Sequence, residues 1–231
     1  MRARAGAPVV RWAAVTLALA LVLTGCTVTP APPVQDTTKK TTTTAPARSP
    51  RAVTVALAEL GTGFNPHLLA DLSPVATAMT DLVLPSVFRP GVDGGAPVLD
   101  TSVAVSASVS SIAPFTVTYV LRDAAQWSDG APIAAEDFRY LWSQMRTQPG
   151  VVDAAGYQLI DDVSSSSGGK TVTVRFSAPY PAWRTLFSAL LPNHLLKDAP
   201  GGFTGALKTS IAFSGSRYAV ASVDTDRGEV L

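Results

Sequence analysis

The sequence predicts an α/β domain centred on a small, largely antiparallel sheet with an amphipathic helix packed across it. Three observations carry this reading. Phe115, Val117, Tyr119 and Leu121 share one side of a segment whose other side holds Thr116, Thr118 and Arg122, the period of a half-buried strand. After a turn the period changes, because Phe138, Leu141, Trp142 and Met145 fall at i, i+3, i+4 and i+7, the stripe of a helix. Val172, Val174 and Phe176 then alternate again, and the serine- and glycine-rich residues 164–169 that separate them from Val163 have hairpin chemistry.

The chain has 231 residues, enough for one sizeable core. Its net charge is +1, and removal of the segment holding Arg2, Arg4 and Arg11 leaves 15 basic against 17 acidic side chains. A near-neutral chain gives no electrostatic reason to expect nucleic acid as a partner. Cys26 is the only cysteine, so no internal disulfide forms and stability must come from packing.

Residues 1–26 join an arginine-bearing start to an apolar run from Trp12 to Leu23. That run falls short of the roughly 20 residues a membrane span needs, and it matches the centre of a secretory signal. Leu23-Thr24-Gly25-Cys26 resembles a bacterial lipobox, in which the cysteine sulfur receives a diacylglyceryl group and cleavage occurs before it. The expectation is a lipoprotein anchored through Cys26 to the outer face of the cell membrane, since several acyl chains anchor stably where one is marginal. Residues 27–51 are Thr/Pro-rich without apolar periodicity and are expected to form a solvated, extended tether.

The folded part is expected over residues 52–231. Val53, Val55 and Leu57 alternate with Thr54 and Ala56, which predicts a short buried strand leaving through Glu59-Leu60-Gly61-Thr62-Gly63. Ser73-Pro74 supplies an N-cap and a first helical residue, and Ala76, Met79, Leu82 and Val83 give the helix its apolar face. Val87–Pro90 and Gly91–Gly95 read as a strand end and a loop. Val103, Val105, Ala107 and Val109 predict a strand with one face deep in the core, joined by a hairpin at Ser110–Pro114 to the Phe115 strand. Ser128-Asp129-Gly130 and Pro132 make the turn into the next helix, which has Glu136 and Asp137 in its first turn and Arg146 in its last, as the helix dipole favours. Trp142 is expected in the core. Pro179-Tyr180-Pro181-Ala182-Trp183 predicts another helix, with Trp183, Leu186, Phe187 and Leu190 on one face, and Gly201-Gly202 is a break.

His67 and His194 are the only histidines, and neither has a second ligand at metal-like spacing. Both are expected to bond nearby groups rather than metal, and no cofactor is implied. The chain contains no G-x-S-x-G, H-E-x-x-H, P-loop or G-x-G-x-x-G motif, so no enzyme activity is expected.

Trp127, Asp129, Gly130, Pro132, Ala135 and Asp137 occupy the places of an aromatic-x-D-G-x-P-x-x-A-x-D pattern. In this the chain resembles the family 5 bacterial extracytoplasmic solute-binding proteins, the peptide-binding components of ABC importers. Phe64-Asn65-Pro66-His67 and Pro179-Tyr180-Pro181 are similar to further stretches of that family. Phe213-Ser214-Gly215-Ser216-Arg217-Tyr218 is similar to a third, but serine and arginine stand where the family has glycine and proline.

The resemblance implies a type II periplasmic-binding-protein-like fold. This chain is expected to hold the N-terminal portion of lobe I with a smaller, mostly antiparallel α+β subdomain, incomplete because family members run to more than twice its length. A half cleft leaves a ligand wet, so the chain alone is expected to bind solute weakly or not at all. Implied partners are a peptide or glycolipid ligand, an ABC permease and ATPase complex, and the membrane through the lipid anchor. Stretches such as Thr147–Asp153 and Asp71–Val75 are similar to a branch linked to a mannosylated phosphatidylinositol and to glycolipid and lipoarabinomannan synthesis, which is the alternative to peptide import. The resemblance also implies that Glu59, Leu60 and Gly61 lie in the loop that presents groups to ligand, with Asn65 just behind.

Overall fold

The computed structural model describes residues 53–57 and 59–231, so the expected signal segment, Cys26 and residues 27–51 lie outside the described residues. Residues 54–231 pack as one unit. Its first helix, α1 (Pro74–Val83), begins as its sequence dictates, with Ser73 Oγ accepting the Ala76 N–H at 3.0 Å and proline as first helical residue. Val75, Ala76, Met79 and Val83 are buried, whereas Leu82, expected among them, is 52% exposed. A Ser73→Ala change is expected to lower the unfolding free energy by about 1 kcal/mol, read as a shift of the urea midpoint with unchanged slope.

Two short strands, β1 (Phe88–Arg89) and β2 (Val98–Leu99), pair antiparallel around the glycine-rich loop. The main sheet follows, built from β3 (Ala104–Ile112), β4 (Phe115–Leu121), β5 (Ile160–Ser166) and β6 (Thr171–Phe176) in the order β3-β4-β6-β5, antiparallel throughout. On β4 the alternation resolves as expected, with Val117, Tyr119 and Leu121 buried. Val117 faces Val174 and Tyr119 faces Val172 on β6, so the buried faces of both hairpins fuse into one surface. The β3–β4 turn is tighter than expected, because Ile112 already pairs with Phe115 across a cis Ala113–Pro114 bond. The β5–β6 turn is also tighter, since Ser164–Ser166 belong to β5.

Helix α2 (Ala135–Thr147) covers this surface with Phe138, Leu141 and Met145. Phe138, Tyr119 and Phe187 form an aromatic cluster with centroid separations of 4.7 to 5.7 Å. Trp142 is only half-buried, with the Arg146 guanidinium 5.3 Å over its ring, whereas Trp127 and Trp183 are enclosed in the core. The Trp142 ring packs against the outside of the core cluster without being enclosed by it. Short helices α3 (Ala155–Gln158), α4 (Asn193–Leu196) and α5 (Gly202–Gly205) and a hairpin of β7 (Val223–Asp224) with β8 (Glu229–Val230) complete the unit.

Three expectations fail for physical reasons. The segment 54–57 forms no strand, and Val55 and Leu57 are exposed, because no described segment pairs with it. β3 exists but its face is not deep in the core. It is an edge strand, a bulge at Val105 shifts its register, and Val105 is 58% exposed, while Ala107 opposite Tyr119 reaches only the margin of the cluster.

The helix expected after Pro181 is a single 3-10 turn, Trp183–Thr185. Trp183, Leu186, Phe187 and Leu190 are all buried, yet the backbone leaves the helical path, with Phe187 and Ala189 at positive φ. What wins is pairing with the residues after α1 and with the Tyr157 hydroxyl. Leu190 N–H donates to Pro85 O at 2.7 Å, Val87 N–H to Phe187 O at 3.2 Å, Ala189 N–H to Ser86 Oγ and Phe187 N–H to Tyr157 Oη.

Candidate binding groove

The excursion from Arg122 to Ile133 is held from below by two charged groups. Lys170 Nζ donates to the carbonyls of Arg122, Ala125 and Ile133 at 3.2, 3.0 and 2.9 Å, and burial lowers its pKa. Asp137 accepts from Trp127 Nε1 and the Ala134 N–H at 3.1 Å each through one oxygen, and from the Asn193 N–H at 2.9 Å through the other. Burial pushes its carboxyl up while these donors pull it back. Gly130, at φ +87°, closes the turn, where its N–H donates to Trp127 O at 2.9 Å. The motif residues therefore build a turn and cap α2. His194 Nε2 adds an exposed bond of 2.7 Å to Asp129 Oδ2, which holds that carboxyl below its ordinary value.

The turn in turn positions a second segment. Ser128 N–H donates to Ser214 O at 2.7 Å and Ser214 N–H donates to Ser128 Oγ at 3.1 Å, while Trp127 meets the Phe213 ring edge-on at 5.9 Å. Ser214 is buried and its hydroxyl donates to Val83 O at 3.1 Å, joining the segment to the end of α1. Beside it, Arg89 Nε donates to Asp100 Oδ2 at 2.9 Å, and its other nitrogens reach the carbonyls of Asp81 and Leu84 and the Ser216 hydroxyl. Burial raises the Asp100 pKa, but hydrogen bonds from Ser102 and Arg89 outweigh it and leave the carboxyl below its ordinary value.

Between these segments runs an open groove of about 590 Å³, adjoined by a recess of about 290 Å³ with which it shares Gln126, Ser216, Arg217 and Tyr218. That size lies within the range of small-ligand sites. Its walls come from four separate stretches: the end of α1, β1–β2 with residues 100–102, residues 124–126 and residues 215–218. No spacing rule could have joined them. The one signal was local, the Ser216-Arg217 departure from the glycine-proline of the family pattern.

The residues singled out from the sequence lie elsewhere. Glu59 and Gly61 are exposed and Leu60 is half-buried, in a loop where Gly61, at φ +77°, packs against Ser73 Oγ. Asn65 is buried, with Nδ2 donating to Phe203 O at 2.6 Å and Oδ1 accepting the His67 N–H at 3.0 Å. None of the four lines the groove. His67 is buried with Nε2 donating to Ala189 O at 2.9 Å, and burial lowers its pKa to about 4. No group of three metal-ligating side chains occurs among the described residues.

Residues 101–226, more than half of the chain and spanning the sheet, α2 and the groove's Ser214–Tyr218 wall, match the model of bacterial extracellular solute-binding proteins, family 5 Middle. The chain belongs to the family 5 solute-binding proteins. Among family 5 relatives, it is 50% identical over 216 residues to the probable monoacyl phosphatidylinositol tetramannoside-binding protein LpqW of Mycobacterium tuberculosis, covering 91% of this chain and 34% of that protein. It is 32% identical over 135 residues to the oligopeptide-binding protein OppA of Mycobacterium bovis, covering 54% and 22%. The solved structure of the periplasmic EDTA-binding protein EppA superposes with a TM-score of 0.66 at 31% identity, over 71% of this chain and 32% of that one. This family 5 chain thus carries part of a type II periplasmic-binding-protein fold and spans about a third of the length of LpqW and of EppA. Its relatives and fold are those of solute-binding proteins rather than enzymes. No helix among the described residues is long and apolar enough to cross a membrane.

Proposed function

We propose that the protein is a lipid-anchored extracytoplasmic solute-binding protein of the family 5 importer type, tethered through Cys26 to the outer face of the cell membrane and holding its solute without covalent chemistry. The match over residues 101–226 carries the binding role, and the apolar run ending in Leu23-Thr24-Gly25-Cys26 supports the anchor. Glu59, Leu60 and Gly61 form a rim of the ligand cleft in this reading, with Asn65 fixing the loop behind them. An ABC permease and ATPase are the partners.

A second reading is favoured by one observation, the 50% identity to LpqW over 216 residues against 32% over 135 for OppA. It takes the ligand as a mannosylated phosphatidylinositol and the role as regulation of glycolipid and lipoarabinomannan synthesis without transport. Metabolic labelling with tritiated palmitate tests the anchor: label is expected in the wild type and absent from Cys26→Ala, and equal label in both would refute it. Extraction from membranes separates the roles, since co-purifying permease and ATPase subunits support import, while retained mannolipid without them supports the regulator.

A further inference from the structure

We propose that the protein pairs with a second copy of itself through the free edge of β3, joining the two four-stranded sheets into one. The main sheet has two ends, and they are built differently. At the β5 end Arg139 Nε reaches over from α2 and donates to the Val163 carbonyl at 2.8 Å, so one acceptor of that strand is already taken. Asp161 and Asp162 also stand on β5, and two such edges brought together would gather carboxylates at one junction. The β3 end has no such protection. Residues 103–112 include no charged side chain and no proline. Among the described residues, the backbone of 105–112 has no partner outside the β3–β4 hairpin. A nine-residue strand therefore leaves a row of amides and carbonyls about 30 Å long at the margin of the sheet.

The apolar face of the sheet also runs on past its cover. Val109 lies opposite Val117 and Ala107 opposite Tyr119, so both point to the side on which Val117 and Tyr119 are buried, yet Val109 is 38% exposed. The sequence of the strand selects the occupant. Val105-Ser106-Ala107-Ser108-Val109 reads the same in both directions. In an antiparallel pair related by a two-fold axis through Ala107, Val105 meets Val109 of the second copy, Ser106 meets Ser108 and Ala107 meets its own counterpart. An isologous contact demands that self-complementarity, and an unrelated strand gives no reason for it. Side chains directly opposite share a face, so the valine pairs carry the apolar surface across the junction while the serines face each other on the outer side. The irregularities of β3 fall between Ala104 and Ser106 and between Val109 and Ser111, so the strand is regular where the axis passes.

The test is cross-linking of the full chain in washed intact cells with a short, membrane-permeant bis-maleimide. The wild type, whose only cysteine is Cys26, sets the background. In the proposed pair the two Ser108 side chains lie diagonally across the junction at about 7–8 Å, so Ser108→Cys is expected to give a product of twice the chain mass, about fivefold or more above background. Ser164→Cys, exposed on β5, is expected to stay at background. Val109→Lys, added to Ser108→Cys, puts an edge lysine into the junction from both copies and is expected to cut the product about fivefold or more. Near-UV circular dichroism of the purified variants confirms folding. Equal product from Ser108→Cys and Ser164→Cys would reveal random collision and overturn the proposal, as would no product above the wild type or product that persists with Val109→Lys. A Ser108→Cys adduct of another mass would overturn it in favour of a different partner. None of these readouts requires a solute or a transporter, so a negative result leaves the proposed function to the palmitate and extraction experiments.

Discussion

A Trp127→Ala variant is expected to unfold with about 3–5 kcal/mol less free energy than the wild type, the cost of truncating an enclosed tryptophan. Trp127 is 1% exposed, meets Phe213 edge-on and donates its indole N–H to Asp137. The substitution therefore removes apolar contact and also leaves one lobe of a buried carboxylate with fewer donors. Trp142 is the comparator. Its Nε1 is buried without an acceptor, so Trp142→Phe, which deletes that donor and keeps an aromatic ring, is expected to be neutral or slightly stabilising. Urea titration followed by far-ultraviolet circular dichroism measures both. Equal losses at the two positions would show that Trp127 does not anchor the motif turn.

The second large effect is in acid. His67 is held neutral, its pKa lowered from 6.5 to about 4 by burial, against the opposing pull of the Ala189 carbonyl. Between those values the unfolded chain takes up a proton that the folded chain does not, so stability falls as pH falls through that window. The total is about 3 kcal/mol, at roughly 1.4 kcal/mol for each tenfold change in proton affinity. Asp100 and Asp129 have carboxyls below the ordinary 3.8, so their contributions are lost only at lower pH, while Asp137, whose carboxyl burial raises, takes up its proton in the folded chain first and opposes the fall. His67→Gln keeps a donor for Ala189 O and cannot titrate. Its unfolding free energy is expected to lose the fall between pH 6.5 and 4, and an unchanged slope would mean that another group accounts for the acid sensitivity.

These residues also show how far the fold could be read from the sequence alone. β4 and α2 were legible because each buries one face against a neighbour close in sequence, so the period survives intact. Ser73 and Pro74 were legible because a cap is a local matter. Trp183, Leu186, Phe187 and Leu190 carry helical spacing and are buried, but the Leu190 N–H and the Phe187 carbonyl bond to Pro85 and Val87, about a hundred residues away, and a period records burial without recording which backbone partner wins. His67 likewise gives no sign in sequence that its acceptor is Ala189, 122 positions on. The groove was illegible for the same reason, except at Ser216 and Arg217, where a departure from pattern marked the place without revealing what it faced.

One carboxylate also ties together three parts of the chain. Because the Ala134 and Asn193 amides and the Trp127 indole all end on Asp137, none can be released without disturbing the others. In deuterium exchange the Ala134 and Asn193 amides should then open as a single cooperative event, with matched protection despite the long stretch of sequence between them. The groove wall borne on Ser128 and Ser214 would loosen in that same event, so its opening would follow the fluctuation of one aspartate.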